Sequence, residues 1–584
     1  MASSNAGSTR STPASTCSTD FASPGASPHG RSQPLLPEHR HHPRRRHVPQ
    51  PNRQHRRRPG RGCRRRWQHQ HRCRRQRRTC GEHRHAQWQR PVAQHIQRLQ
   101  RRRAGADPQQ RDRQDSVDSV GGYILGNANL NGRAAGVILN EVTGTNPSQL
   151  KGYTEVAGQG AHVIVANPHG ITCDGCGFIN TPRATLSTGA PMVENGALKR
   201  YDVDGGQIRI EGQGLNASNV DQFELITRSA QINAALHARQ LAMVTGRNDV
   251  DATTLAATAK ADDGTDKPQL AIDSSALGGM YAGAIRLVGT EQGVGVKLAG
   301  DMAASGGDIQ IDANGKLTLS QAAASRDIAL KAQSIELGNK TYAGRNVKAE
   351  AAQSLTLEKD RSLAAGAQID LKAEQLGNQG VIEAGVNRDN SRNTTGDVKL
   401  SGGSLRNQGT VVASRDLEAA LTGTLDNRAG AISGKANTRV AARALDNRDD
   451  GLLLSKGSVT VDAESLDNRK GAIAADQSLN VKVAQRLDNQ DGELSSRAVT
   501  TIDAGQLDNR GGQISADRTL TVSADALDNS AKGTLSSRGS LVVQKAALNN
   551  QGGTVVADQR LDITGQRLDN RGEWSAARAM RALR

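Results

Sequence analysis

Aromatic side chains are nearly missing from this chain: 3 Phe, 5 Tyr and 3 Trp in 584 residues, or 2%. A globular core normally leans on such residues, so their scarcity argues against a conventional compact domain of this length. There is also no apolar run long enough, at roughly 18 residues, to span a membrane as a helix, and no signal peptide with an apolar centre is visible. Lysine is absent from residues 1–120, where arginine is dense and 11 of the 14 histidines lie. The remainder is close to neutral, so the net charge of +18 belongs to one end. Cys63, Cys73 and Cys80 have histidines nearby, but their spacing matches no standard zinc finger.

Residues 1–120 read at face value as a disordered polycation, suited to nucleic acid or anionic lipid through charge alone. Another reading accounts for more. Arg, His, Gln and Pro without Lys is what a GC-rich gene yields out of frame. Codons can be chosen for Arg66 to Val120 so that the next frame reads as alternating apolar text with NG turns. The expectation is a frame break near Val120/Gly121. Glu573 to Arg584 can be recoded in a similar way, so residues 572–584 are expected to be an aberrant tail.

What is present in abundance is repetition. The phrase LDNR or a close variant returns at Leu425, Leu445, Leu466, Leu487, Leu507, Leu527, Leu548 and Leu568. Successive leucines lie 20, 21, 21, 20, 20, 21 and 20 residues apart. A fixed period of this size marks a repeat architecture in which each unit buries its apolar face on the next. Within a unit the apolar residues alternate with period 2, in short runs separated by turns, which signals strands. The consensus of leucine-rich repeats is absent. The sequence therefore predicts an all-β fold: a right-handed parallel β-helix, one repeat per coil, with small extra-helical hairpins. About twenty coils at 4.8 Å would stack to roughly 100 Å.

Stacking would align the leucines in a buried column. Two residues on, Asn427, Asn447, Asn468, Asn489, Asn509, Asn529, Asn550 and Asn570 would form an amide ladder at a corner, where Asn tolerates αL geometry. The role of both columns is structural. Pro191 to Gly205 is expected to be a β-hairpin, Gly246 to Pro268 a polar excursion, and Asn387 to Asp397 a loop inside one oversized repeat.

The residues after Gly121 carry a resemblance. VILNEV (from Val137), VIVANPHGITCDGCGFIN (from Val163), ATLSTG (from Ala184) and GGQIRIEGQGLNASNVDQFELITRSAQINAAL (from Gly205) resemble the secretion domain of two-partner-secretion exoproteins, the filamentous haemagglutinin and contact-dependent inhibition toxin family. The LDNR units resemble the haemagglutinin repeats that follow it. The resemblance divides the chain into a secretion domain at 121–300 and haemagglutinin-type repeats at 301–571. It also implies that two turns help recognition by a partner outer-membrane transporter: Asn127, Asn129 and Leu130, where Ala128 replaces the family's Pro, and Asn167, Pro168, Gly170 and Ile171, where His169 replaces Asn. Read from the residues alone, Asn167-Pro168 and Gly170 make a β-helix corner.

Cys173 and Cys176 frame a CxxC in strand-and-turn context. A disulfide stapling a turn in an exported protein is favoured over free thiols, with redox catalysis last, because that chemistry wants a helix N-terminus.

The resulting expectation is a secreted or surface-displayed, non-enzymatic stalk with no cofactor or metal, an adhesin or a toxin-presenting arm. Its partners would be the transporter and a host or neighbouring-cell receptor, with no specific nucleic acid. Lacking a readable signal, the product as printed is not expected to be exported by itself. Two rivals stand beside it: a β-helix polysaccharide lyase, against which the regular spacing of Asp426, Asp446, Asp467, Asp488, Asp508, Asp528 and Asp569 argues, and nucleic-acid binding by the Arg-rich end.

Overall fold

Strict in–out alternation decides the architecture. The computed structural model describes residues 134–571, together with Leu130 and the short strands Ser116–Asp118, Gly122–Ile124 and Met580–Arg581. The frame-break reading of residues 1–120 and the tail reading of 572–584 fall almost wholly outside these. Among the described residues there are strands and no α-helix.

The body is one 42-stranded sheet wound into a parallel solenoid. Coils in the repeat region use one short and one long strand, such as Ala472–Ala475 with Ser478–Asp488, then Glu493–Ser496 with Val499–Asp508. Each pairs with its counterpart one coil on, Ile473 with Leu494 and Val481 with Ile502. Burial alternates along the short strands and along the first part of the long ones, breaking at the bend before each Leu–Asp pair. One continuous aliphatic core runs from Val156 to Leu561. The few aromatics it holds lie near its N-terminal end, where Phe178 and Phe223 pack 5.9 Å apart. Stacked Leu, Ile, Val and Ala rows fill the rest, which is why the chain manages with so few rings.

The mixture of 20- and 21-residue units has a local cause. The turn after each ladder asparagine normally contains one residue with positive φ, as at Ala429 (55°), Lys470 (56°) and Asp491 (54°). Between Leu445 and Leu466, and between Leu527 and Leu548, two consecutive residues take that conformation: Asp449 with Asp450, and Ala531 with Lys532. The third long unit instead places its extra residue as a bulge between Val483 and Arg486. In every case the register of the leucines survives.

One expectation is corrected here. The left-handed backbone does not fall on the ladder asparagines but two residues after them. Each Asn must extend the strand so that its amide points inward, and the chain reverses only once that amide is placed. Another expectation is enlarged. The hairpin Ala190–Glu194 and Ala197–Val203, closed at Asn195-Gly196 (φ 50° and 76°), does not stand alone. Asn248–Asp251 and Ala257–Ala259, from the polar excursion, join it in a four-stranded antiparallel sheet. That sheet covers the outer face of the solenoid and builds a second core with Leu139, Ile164, Ile226 and Val244 beneath Tyr201, Val203 and Val250.

Candidate functional site

The Asn167–Ile171 turn is built inward from its first residue. Asn167 is wholly buried, and its side-chain amide donates to the Asn146 carbonyl (3.0 Å) and to Ser148 Oγ (2.9 Å). Its Oδ1 accepts the His169 N–H at 2.9 Å, and its carbonyl accepts the Gly170 N–H at 3.1 Å. Pro168 fixes φ at the start of the turn, and Gly170 takes φ +111°, where a Cβ would come within 3.0 Å of the Gln207 carbonyl oxygen. Ile171 enters the core. Only Pro168 and His169 are exposed. Of the other turn, Asn127 and Asn129 lie outside the described residues, and Leu130 is half-buried.

Cys173 and Cys176 are joined as a disulfide with Cα atoms 5.4 Å apart. Both sulfurs face the solenoid core. The strand Ile171–Ile179 shifts register against both neighbouring coils at this point, and Gly175 takes φ +69° between the cysteines. The staple therefore holds a bulge closed from inside. Buried sulfurs at a strand bulge do not present a thiolate to solvent, so redox exchange has no access.

In the repeats, Leu425 through Leu548 pair coil to coil in one buried column, with Leu568 half-buried at its end. Each ladder asparagine donates from Nδ2 to Oδ1 of the next, at 2.7–2.8 Å, from Asn427 through Asn447, Asn468, Asn489, Asn509, Asn529 and Asn550 to Asn570. The ladder also has two rungs that the phrase search omitted: Asn378 donates to Asn407, and Asn407 to Asn427, both at 2.7 Å. Their phrases read LGNQ and LRNQ, with Gly377 and Arg406 where later units carry Asp. A search on Leu-x-Asn alone finds them.

In the LDNR phrases the Asp points outward and is bound by the Arg two residues on. Arg428 grips Asp426 through two bonds of 2.9 and 2.8 Å, and Arg448, Arg469 and Arg510 repeat this. Where Gln490 replaces Arg, the bulge residue Arg486 reaches Asp488 and Asp508 instead, at 3.0 and 3.3 Å. Arg428 and its neighbours hold Asp426 below the usual carboxylate range. Burial alone would raise Asp467, but Arg469 and Arg448 pull it down. These carboxylates are neutralised one by one along a column, which leaves no unique acid for a lyase. Among the described residues no group of three or more His, Cys, Asp or Glu is placed to hold a metal ion.

Comparison with known proteins fits this geometry. A family model described as TPS secretion domain matches residues 115–319, and haemagglutinin repeat matches residues 472–545, 499–572 and 545–580. The chain belongs to the two-partner-secretion family of filamentous haemagglutinin-like and contact-dependent inhibition proteins. It is 44% identical over 309 residues to a tRNA nuclease CdiA of Yersinia mollaretii, covering 52% of this chain and 10% of that protein. To a toxin CdiA of Yersinia pestis it is 52% identical over 198 residues, covering 34% of this chain and 6% of that one. A solved structure of the filamentous haemagglutinin secretion domain aligns with 47% of this chain and 78% of its own, at 29% identity and a TM-score of 0.33. The chain thus spans about a tenth or less of the curated relatives named here, and the matched models are a secretion domain and its repeats. Members of this family are secreted or surface exoproteins that use an outer-membrane transporter. Among the described residues no helix is long and apolar enough to cross a membrane.

Within the secretion domain lies a polar cluster that sequence reading missed. Glu224 is completely buried beneath the antiparallel sheet, gripped by Arg183 Nε (2.7 Å), Thr185 Oγ1 (2.6 Å) and Gln222 Nε2 (2.7 Å). Arg183 also donates to the Ala252 carbonyl of the covering sheet at 2.7 Å, and His162 bonds Thr185 at 2.8 Å. Burial raises the Glu224 carboxyl despite Arg183, and burial with Arg183 drives His162 down to about 3. The Tyr201 hydroxyl is buried above them without a hydrogen-bond partner. The group is closed off, and it works as a clamp between sheet and solenoid. No motif marks it: its members sit at outward strand positions, where polar residues are expected, and only the covering sheet buries them.

Proposed function

We propose that the chain is the export-and-stalk portion of a two-partner-secretion exoprotein. A partner outer-membrane transporter recognises it, the polypeptide crosses unfolded, and it folds outside coil by coil as a scaffold for a more distal module. The observation that carries this reading is the unbroken parallel register from the secretion-domain residues into the haemagglutinin-type coils. A solenoid of this kind can nucleate at its emerging end and add one unit at a time. The stalk itself is non-enzymatic; whether it serves an adhesin or a toxin depends on what that module meets, a host surface or a neighbouring cell.

The turn at Asn167 supports a division of labour. Asn167, Gly170 and Ile171 are buried in the folded state, so a transporter reading them does so in the unfolded chain; Pro168 and His169 alone remain legible afterwards. The test is co-expression of the full-length gene with and without its transporter, scored by surface proteolysis. Protease-sensitive protein outside the cell only when the transporter is present supports the proposal, and equal exposure without it overturns it. His169→Ala, which is exposed, separates recognition from folding: the turn is read by the transporter if export falls while the melting temperature stays put.

A further inference from the structure

The eight short strands from Thr410–Ala413 to Thr554–Ala557 pair in register and form one flat side of the solenoid. Each turns its first and third residues outward. Those positions hold Ala, Ser, Thr, Val, Leu and Gln, with Glu493 as the single charge. An uncharged strip of this length contrasts with the Asp–Arg columns elsewhere on the solenoid.

The rim that follows these strands begins with Ser414 and Lys435 and then alternates in sign over the remaining six coils. One residue per coil, those six read Lys456, Asp476, Arg497, Asp517, Arg538, Asp558. Each directly follows its short strand, and from Asp476 onward each N–H reaches the residue that ends the short strand one coil earlier, as Asp476 to Ser455 and Asp517 to Ser496. Arg497 and Arg538 touch Asp476 and Asp517 at 3.4 and 3.5 Å, yet remain about three-quarters exposed.

An alternating row with an even number of members complements itself when reversed. We propose that this side is a homotypic interface, and that a second copy of the chain lies across the strip antiparallel, about a twofold axis between the Arg497 and Asp517 coils. Lys456 then meets the second copy's Asp558, Asp476 its Arg538, and Arg497 its Asp517. Glu493 faces a glutamine, Gln513, rather than another charge. On the opposite rim the same operation brings Lys470 and Lys532 together, so the copies close along the alternating rim and splay at the other. A shallow groove lined by Asp450, Lys470, Asp491 and Glu493 runs along that open side.

The twofold overlaps six of the eight strands, about 25–30 Å at roughly 4.8 Å each. With one rim engaged, the contact is on the order of 400 Å² per copy, about half of the roughly 800 Å² of a standard stable interface. The pairing is therefore weak and reversible, isologous in type, and it weakens further with salt because its directing contacts are exposed charges.

Sedimentation velocity on the full-length chain between about 1 and 200 μM, at low and moderate salt, tests this directly. Wild type is expected to show a salt-sensitive monomer–dimer equilibrium. An all-basic rim (Asp476→Lys, Asp517→Lys, Asp558→Lys) and an all-acidic rim (Lys456→Glu, Arg497→Glu, Arg538→Glu) are each expected to weaken self-association at least tenfold, with unchanged circular dichroism. Mixing the two variants is expected to restore a dimer. Ser515→Arg, on the strip, is expected to weaken pairing similarly without altering either rim. A wild-type chain that stays monomeric at 200 μM, rim variants that dimerise as wild type does, or a mixture no better than its parts each overturns the proposal.

Discussion

At the residue scale, the ladder asparagines do two jobs with one amide. Asn468 accepts from Asn447, donates to Asn489 and bonds the carbonyls of Gly471 and Glu493. Asn468→Ala strips these away and leaves buried partners unpaired on both sides, at a cost of about 2–4 kcal/mol. In a repeat fold that loss is local, so hydrogen exchange should show it within the coils from about residue 447 to 513 and leave the secretion domain unchanged. Gly471 is bound to the same site: a Cβ there would overlap the Asn447 carbonyl oxygen. Gly471→Ala is expected to destabilise the same amides, whereas Gly552→Ala, with open space around it but φ +65°, should cost only about 1 kcal/mol. Equal effects at the two glycines would show that steric packing against the ladder is not what selects Gly471.

How far these residues could be read from sequence follows from what sets them. The Leu and Asn columns were legible because the same contact recurs every coil, and recurrence is visible without coordinates. Asn378 and Asn407 are masked because Gly377 and Arg406 stand where the other phrases carry Asp or Asn, at an outward position that contributes to the surface and not to the core. The positive-φ residue was misplaced for a different reason. Asn is permissive of that conformation, but here its buried amide outweighs the preference, and Ala429, Lys470 and Asp491 bend instead.

At the element scale, the antiparallel sheet and its clamp are the least legible part of the fold. The NG turn announced a hairpin, yet nothing local says that residues 248–259 return to pair with 197–203. Only the long-range burial of Glu224 and His162 reveals that the two excursions cover one face. The clamp has a pH signature whose sign is fixed. Burial and Arg183 hold the His162 pKa at about 3 in the folded chain, well below the ordinary histidine value of about 6.5, so the unfolded chain takes up the proton first. Stability of the covered face is therefore lost as pH falls from about 6.5 towards 3. Glu224 acts in the opposite sense, since its raised carboxyl gains a proton more readily when buried. His162→Gln is expected to remove the acid-side loss between about pH 6.5 and 5, read as protection of amides 197–203 and 248–251. An unchanged profile in that variant would exclude His162 as the source. Tyr201→Phe removes a buried hydroxyl that has no partner, so thermal stability should hold or rise slightly, by about 0–1 kcal/mol. A loss above about 2 kcal/mol would mean that the hydroxyl is bonded after all.

At the scale of the whole molecule, the solenoid is a stack of interchangeable coils in parallel register. The solenoid class, the repeat period and the family were visible in the sequence because repetition and ordered motifs survive without tertiary information. The alternating rim was not, because its residue changes sign from coil to coil and so no recurring phrase marks it. The most direct test is deletion by whole and fractional units in the full-length chain. Removing Asp467–Leu487, one complete coil, should rejoin Asn447 to Asn489 across the cut, keep the β-type circular dichroism and shift the melting temperature by no more than a few degrees. Removing only 467–476 should break the register of both columns and collapse protection on either side of the cut. If the two deletions were equally tolerated, or equally destructive, the parallel one-repeat-per-coil stack would be contradicted.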